Sequence, residues 1–336
     1  MTKRWKKRPD NSNWGDFGEN DQLGRLNLID EKKVLQAVQE VKTGKTFCLS
    51  LPLDYPGGQV LNAVRKPPIL KPVIRNNSPY YNYEWSQLNE NHKDLGSDDV
   101  VILSTQYSTQ WDSLAHRGKQ FDSMGDGLLK SVYYNGYEAD KDILLKNNDS
   151  TCARALGIEN MAKHGVQGRG VLVDLHSHCG DFPRVEVGYG LLMQLIKEQN
   201  VQIDKGDILC LWTGLDQLII KGKGNPDSSL KNACAVLDGS DKKLQQWIIN
   251  SEIAAIASDN LAVEAVGKHI PEGSDTNLPI HDLCLFRLGL HLGELWHLAE
   301  LAKWLKDNKR SRFLLTAPPL RLTGAVGSPL TPIATV

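Results

Sequence analysis

Apolar positions along the chain follow two rhythms. Short runs with little polar alternation recur as "RGVLVDL" (169–175), "DILCLWTG" (207–214) and "AAIASDN" (254–260). Such runs read as strands of a sheet covered on both faces. Between and around them the spacing turns helical. "DEKKVLQAVQEVKTG" places Val34, Leu35, Val38 and Val41 at helical intervals, with Asp30 able to cap the start and Gly44 to stop the end. "GLLMQLIKEQN" and "DKKLQQWIINS" read as two further helices. "LGELWHLAELAKWLKDN" (292–308) reads as an amphipathic helix with Leu295, Leu298, Leu301 and Leu305 on one face.

Three more segments read as strands: Thr46–Leu51, "DVVILST", which delivers the chain to Gln106, and "SRFLLTAPPL", closed by Pro318 and Pro319. Residues 1–29 carry no period and are rich in Gly, Asn and Asp, which predicts an irregular surface segment. Residues 54–95 hold Pro, Asn and Tyr without a clear period and read as a long loop, of the kind that forms lids or oligomer contacts. No repeat or linker divides the chain. The pattern predicts one α/β domain over 1–336.

Composition narrows the function classes. The chain has 336 residues, 40% hydrophobic and 24% charged, with a net charge of −1. That is enough to bury a sizeable core. Its one basic cluster, Lys3–Arg8, is too short for a nucleic-acid arm, so no nucleic-acid partner is expected. No run approaches the length of a membrane span. The N-terminus lacks the apolar stretch of a secretory signal. Six cysteines without CxxC spacing read as free thiols, which points to the cytoplasm.

Candidate chemistry lies in three places. "STQYSTQWDSLAHRG" (104–118) sets Gln106, Gln110, Asp112 and His116 within eleven positions. Asp112 is a hard oxygen ligand, and His116 can ligate or act as a base on water. Glutamine oxygens are weak ligands that suit Mn²⁺ better than zinc. Read alone, the stretch is better explained as an ordinary capped turn with a satisfied His, and only the second cluster shifts that balance. "PIHDLCLFRLGLHLGELWHLAEL" holds His281, Asp282, His291, Glu294 and His297; on the expected helix Glu294 and His297 share a face, and His291 and His297 read as surface or capping residues. "DLHSHCGD" follows an apolar strand, and alternation would put His176 and His178 on one face as substrate contacts. "SDNLAVE" adds Asp259, Asn260 and Glu264, with Ser258 read first as a helix cap. Trp111 and Tyr107 could line a pocket. No G-x-S-x-G elbow, Walker loop or G-x-G-x-x-G is present.

These residues bring out a resemblance. The chain resembles the cyclase family of metal-dependent hydrolases, which includes bacterial kynurenine formamidase and isatin hydrolase. The family signature H-x-G-T-H-x-D-x-P-x-H stands here as Gln106, Ser108, Thr109, Gln110, Asp112, Leu114 and His116. The downstream His and Glu stand as His281 and Glu294. "WGDFGENDQLGRLNLI", "GRGVLVDL", "GDILCLWTG" and "TAPPLRLTGAVGSP" extend the likeness over nearly the whole chain, which is most similar to longer members carrying "TQWD". Gln106 is a departure, since many relatives have His there. The resemblance implies a swivelling β/β/α core, assembly as homodimers or homotetramers, and hydrolysis of a small amide, lactam or lactone. It implies Asp112, His281 and Glu294 as ligands of one divalent ion, Mn²⁺ or Zn²⁺, with Gln106 and Gln110 as weak ligands or orienters and His116 beside the bound water. Two other readings stay open on the same residues: a metal-free cyclase or dehydratase using Asp112 and His116, and a non-catalytic binding protein.

Overall fold

The computed structural model describes residues 3–147, 150–267 and 274–336. In chain order, the elements that matter for the site begin with α1 (Glu31–Val38), whose Asp30 carboxylate accepts from the Lys33 amide as expected. Next come β1 (Thr46–Cys48), β2 (Ile69–Arg75), β3 (Ser78–Tyr80), β4 (Asp99–Ile102) and β5 (Gln110–Asp112). They are followed by β6 (Gln167–Asp174), α2 (Tyr189–Glu198), β7 (Ile208–Trp212), α3 (Lys242–Ser251), β8 (Ala255–Ser258) and β9 (His291–Glu294). The chain closes with α4 (Ala299–Asp307), β10 (Arg312–Thr316), β11 (Gly327–Pro329) and β12 (Ile333–Thr335).

Nine of these strands form one mixed sheet in the order β1-β12-β10-β6-β7-β8-β9-β5-β11. Its centre, β6-β7-β8-β9, is parallel, and antiparallel strands flank it on both sides. The apolar runs explain that centre. Val171 and Val173 of β6 point into one core with Leu209, Leu211, Ile256 and Leu292; Leu172 points into the other with Ile208, Cys210, Phe313, Leu301 and Leu305. Both faces are therefore buried, which is why no polar alternation marked these strands. The α/β class is as the pattern predicts.

Four expectations need correction. The helix expected over 292–308 starts only at Ala299; residues 291–294 form β9, buried throughout beside β8. Leu295 breaks the run with φ +55°, so Glu294 and His297 do not share a helix face. Residues 54–95 are not one loop, because β2 and β3 lie within them and pair with β4 in a separate three-stranded sheet. β4 therefore does not join the main sheet on its way to Gln106. Residues 3–29 hold no strand or α-helix, as expected, but are not superficial. Trp14 is fully buried, its indole N–H donating to the Phe286 carbonyl at 2.8 Å. Ser258 caps no helix; it ends β8, and its hydroxyl donates to the Leu211 carbonyl.

Candidate active site

Strand β5 is short, and its alternation decides what each residue does. Gln110 and Asp112 face one way. Trp111 faces the other, fully buried at 5.0 Å centroid distance from Trp296, its indole N–H donating to the Ala317 carbonyl. Trp111 is a core residue, which corrects its reading as a pocket wall. Antiparallel pairing sets Gln110 of β5 directly opposite Glu294 of β9, across 184 positions of sequence. The Gln110 amide N–H₂ donates to Glu294 Oε2 at 2.5 Å.

Around this pair the two distant candidate stretches meet. Asp112 Oδ2 lies 3.8 Å from His116 Nε2 and 3.9 Å from His281 Nε2. His281 Nε2 lies 3.4 Å from Glu294 Oε1. Asp112, Glu294 and His281 are all at most 3% exposed, and Gln106 and Gln110 are buried beside them. His116 is the most open of the group, with about a fifth of its side chain exposed (21%).

Each imidazole is held from behind. Glu264 Oε1 accepts from both the backbone N–H and the Nδ1–H of His281, at 2.8 Å each, while Oε2 accepts from the Ile280 N–H at 2.9 Å. That holds a proton on Nδ1 of His281 and turns Nε2 toward Asp112 and Glu294. Burial works against a charge on His281, but the hydrogen bonds and charges of Glu264 and Glu294 outweigh it and raise the imidazole to about 9. Burial and the neighbouring Asp112 charge raise Glu294, against the pull of His281 and Arg65. His116 moves the other way, lowered chiefly by burial and then by the His281, Arg65 and Arg117 charges, with Asp112 opposing.

The Gln106 amide joins Asp112 to His116. Its N–H₂ donates to Asp112 Oδ1 and lies 3.2 Å from His116 Nδ1. A carboxylate can only accept, so the amide nitrogen must face it. His116 Nδ1 then accepts too, and the neutral ring carries its proton on Nε2, facing Asp112 Oδ2.

The donor set fits a divalent cation. Asp112 Oδ2 and Gln110 Oε1 are buried with no hydrogen-bond partner, a costly state unless something electropositive faces them. Ligand atoms of Asp112, His116 and His281 lie within 4.8 Å of one another, the kind of group that can hold a metal ion. A carboxylate pair with imidazole nitrogen is a common donor set for Mn²⁺ or Zn²⁺.

Residues 49–265 match the family model described as "Putative cyclase". The chain belongs to the cyclase family. A crystal structure described as a novel cyclase is 31% identical to this cyclase-family chain over 97% of both chains, with a TM-score of 0.75. Isatin hydrolase A from Labrenzia aggregata, bound to benzyl benzoate, is 13% identical, covering 90% of this chain and 98% of its own, with a TM-score of 0.55. Isatin hydrolase A from Ralstonia solanacearum is 12% identical over 86% and 91%, also at 0.55. At these identities the two hydrolases share the fold. No protein of curated function matches in sequence. No helix among the described residues is long and apolar enough to cross a membrane.

A cavity of about 470 Å³ opens beside the cyclase-family site, lined by Tyr107, Arg65, Leu61, Arg184 and Leu295 among others. Tyr107 keeps its hydroxyl on the Gly58 carbonyl at 2.7 Å. Arg65 links cavity and site, donating to the Gln106 carbonyl at 2.7 Å and lying 3.9 Å from Glu294 Oε2. The aperiodic 54–95 stretch gave no signal for Arg65.

His176 and His178 do not alternate on a strand; they sit on the helical turn His176–Cys179. His176 pairs with Asp181 at 2.8 Å and packs on Trp212 and Gly214, and it does not line the cavity beside Tyr107. Neither residue is among those that line that cavity. His291 is buried, not a surface residue, and its Nδ1 lies 2.9 Å from the Asp112 carbonyl oxygen. His297 holds Asp216 through Nδ1 at 2.9 Å, while the same carboxylate accepts from Leu298 and Ala299 at the start of α4. Asp259 accepts from the Thr213, Gly214 and Asp216 amides and so braces the chain after β7.

Proposed function

We propose that this protein is a metal-dependent hydrolase of a small cyclic amide, lactam or lactone. Asp112, His281 and Glu294 hold one divalent ion, Mn²⁺ or Zn²⁺, and Gln110 and Gln106 orient the two carboxylates. The observation that carries the reading is the unpartnered Asp112 Oδ2, buried between two imidazole Nε2 atoms. A bound ion supplies Lewis acidity toward a carbonyl oxygen and acidifies water.

The protein's own groups do the rest. Glu264 holds His281 by Nδ1 and so keeps its Nε2 on the inner side, free to ligate once it gives up its proton. His116, the member of the group with solvent access, reaches the substrate. With Gln106 donating to Nδ1, His116 offers Nε2–H as a hydrogen-bond donor to the carbonyl or leaving atom. To accept a proton from water at Nε2, it needs Nδ1–H, which requires the Gln106 amide to turn its oxygen inward. That orientation sets Oε1 against Asp112 Oδ1, so it is tolerable only when a cation offsets the Asp112 charge. Arg65, at the junction of cavity and site, steers a polar or anionic end of the substrate toward the carboxylates' far side. The likeness to isatin hydrolases favours a small ring substrate, because isatin is itself a cyclic amide.

One observation favours a second reading. A protonated His281 lies 3.4 Å from Glu294 Oε1 and 2.8 Å from Glu264 Oε1, so charge can balance without a metal ion, leaving Asp112 and His116 to act as a dyad in dehydration or ring closure. Turnover of a panel of lactones, lactams and N-formyl amines, with Mn²⁺, Zn²⁺ or chelator, separates the two. Metal-dependent hydrolysis lost in Asp112→Ala together with metal binding supports the first. Full activity in chelator removes it.

A further inference from the structure

The cavity beside the site carries charge of one sign. Its lining includes Arg65, Arg184 and Lys231 and no carboxylate, in a chain whose net charge is −1. The site it adjoins is the reverse, built around the buried carboxylates of Asp112 and Glu294. A ligand that spans both meets opposite fields at its two ends.

Arg184 and Lys231 are brought together by a short parallel pairing. Residues Val185–Val187 run beside Ala235–Leu237, and the Arg184 amide donates to the Asn232 carbonyl at 2.9 Å. Lys231 stands next to Asn232 in the turn Ser228–Asn232. The Arg184 side chain uses only Nη1 on the protein, in long contacts to the carbonyls of Lys231 at 3.4 Å and Val266 at 3.3 Å. Its Nε–H and Nη2–H form the edge that grips a carboxylate by two parallel bonds, and that edge has no partner among the described residues. Lys231 Nζ has none among them either.

On an open surface, unpaired cations signify little, because water solvates them. Here both line one concave space of about 470 Å³, together with Leu61, Leu261 and Leu295. Small-molecule sites run to about 300–1,000 Å³ and set a few convergent polar groups among apolar walls. The leucines supply the apolar wall and the two cations the convergent groups.

We propose that Arg184 and Lys231 form an anion-binding wall of this cavity, and that the ring amide or lactone it takes carries a carboxylate. That carboxylate lies on the Arg184 fork with Lys231 beside it, and the ring packs on the leucines. The neutral scissile bond is then the end presented to Asp112 and His116. The site carboxylates repel a second anion, which disfavours the reversed orientation. The ring substrate rests on the hydrolase reading above; the anion wall does not.

Ligand-observed NMR titrations in chelator test the wall without turnover. The probes are matched pairs differing in one charge: 5-oxoproline and its carboxamide, and benzoate and benzamide. Each is titrated against wild type, Arg184→Gln, Lys231→Gln and the double variant. The expected result is a preference for the carboxylates of about tenfold or more, weakened in each single variant, lost in the double, and falling with added salt. Circular dichroism checks the fold, and Lys231→Gln, at an exposed side chain without a bonded partner, keeps the test valid if Arg184→Gln folds poorly. Equal binding of carboxylate and carboxamide by the wild type, or a preference that survives in the double variant, overturns the proposal. Metal-dependent hydrolysis of neutral rings, equal in wild type and double variant, also overturns it while the hydrolase reading stands. A carboxylate preference lost in the double variant of a protein that hydrolyses nothing keeps the wall and removes the hydrolase reading.

Discussion

Replacing Glu264 by Gln changes one atom of a residue that never reaches the cavity, yet it should disturb both stability and metal binding. Glu264 accepts three N–H bonds, two on Oε1 and one on Oε2. A glutamine can keep its oxygen toward His281, so two bonds survive but lose charge assistance, at roughly 1 kcal/mol each. Its amide nitrogen then confronts the Ile280 N–H, two donors buried face to face, at about 1–3 kcal/mol. The sum is about 3–5 kcal/mol. With an unfolding entropy near 2 cal/mol/K per residue, a chain of this length loses roughly 4–7 °C in Tm. The same change removes the anion that holds the His281 proton on Nδ1, so metal affinity should fall about 10- to 100-fold. Differential scanning calorimetry gives the first number, and isothermal titration with Mn²⁺ and Zn²⁺ gives the second. A variant that melts within 1 °C of the wild type would refute the hydrogen-bond reasoning. A lower Tm with unchanged affinity would show that Glu264 supports the fold without tuning His281.

Gln110→His should tighten zinc by tenfold or more, since an imidazole is the better zinc ligand, and calorimetric titration reads it directly. His176→Ala should leave KM and kcat within about twofold of wild type, because His176 rests on Gly214 and Asp181 and not on the cavity; steady-state kinetics on any substrate found will show it. The His297–Asp216 pair should add about 1–2 kcal/mol in a pH-dependent way. The hydrogen bond to Asp216 and its charge raise His297 above 6.5 against burial. Its contribution is therefore full below about pH 6.5 and is lost as pH rises through the raised value. Urea unfolding of wild type and His297→Gln across pH 5–9 should converge at the alkaline end, and a constant gap would refute the assignment.

What could be read from the chain, and what could not, follows from how much local pattern each element carries. β6 and β7 were legible because burial on both faces erases alternation over five or more residues, and the shorter β8 because its run is bounded by the polar Ser258, Asp259 and Asn260. β9 is four residues long and continues the leucine spacing of α4, so nothing local separated strand from helix; the left-handed backbone at Leu295 that divides them is set by the β8–β9–β5 pairing. Gln106, Gln110, Asp112, His116, His281 and Glu294 were all nameable from the sequence, from the spacing of the two stretches and from the family resemblance that joined them. Their supports were less so. Glu264 stood out as an acid after a strand without revealing its partner, and Arg65 lay in a stretch with no period. Trp111 was misread although the alternation that put Gln110 and Asp112 on one face already assigned it to the other. The hydroxyl of Ser258 and the ring of His291 were read as caps or surface groups because a local motif cannot report a neighbour 47 or 179 positions away.

The pairing of Gln110 with Glu294 also bears on synthesis. Half of the candidate centre is made early and waits exposed until the other half, 184 residues later, has left the ribosome. At about 5–20 residues per second that interval is roughly 10–40 s. During it Asp112 and His116 cannot form the completed donor set, which needs His281 and Glu294 from the other stretch. The same wait leaves β5 without its sheet neighbours on either side, since β9 and β11 both come later in the chain.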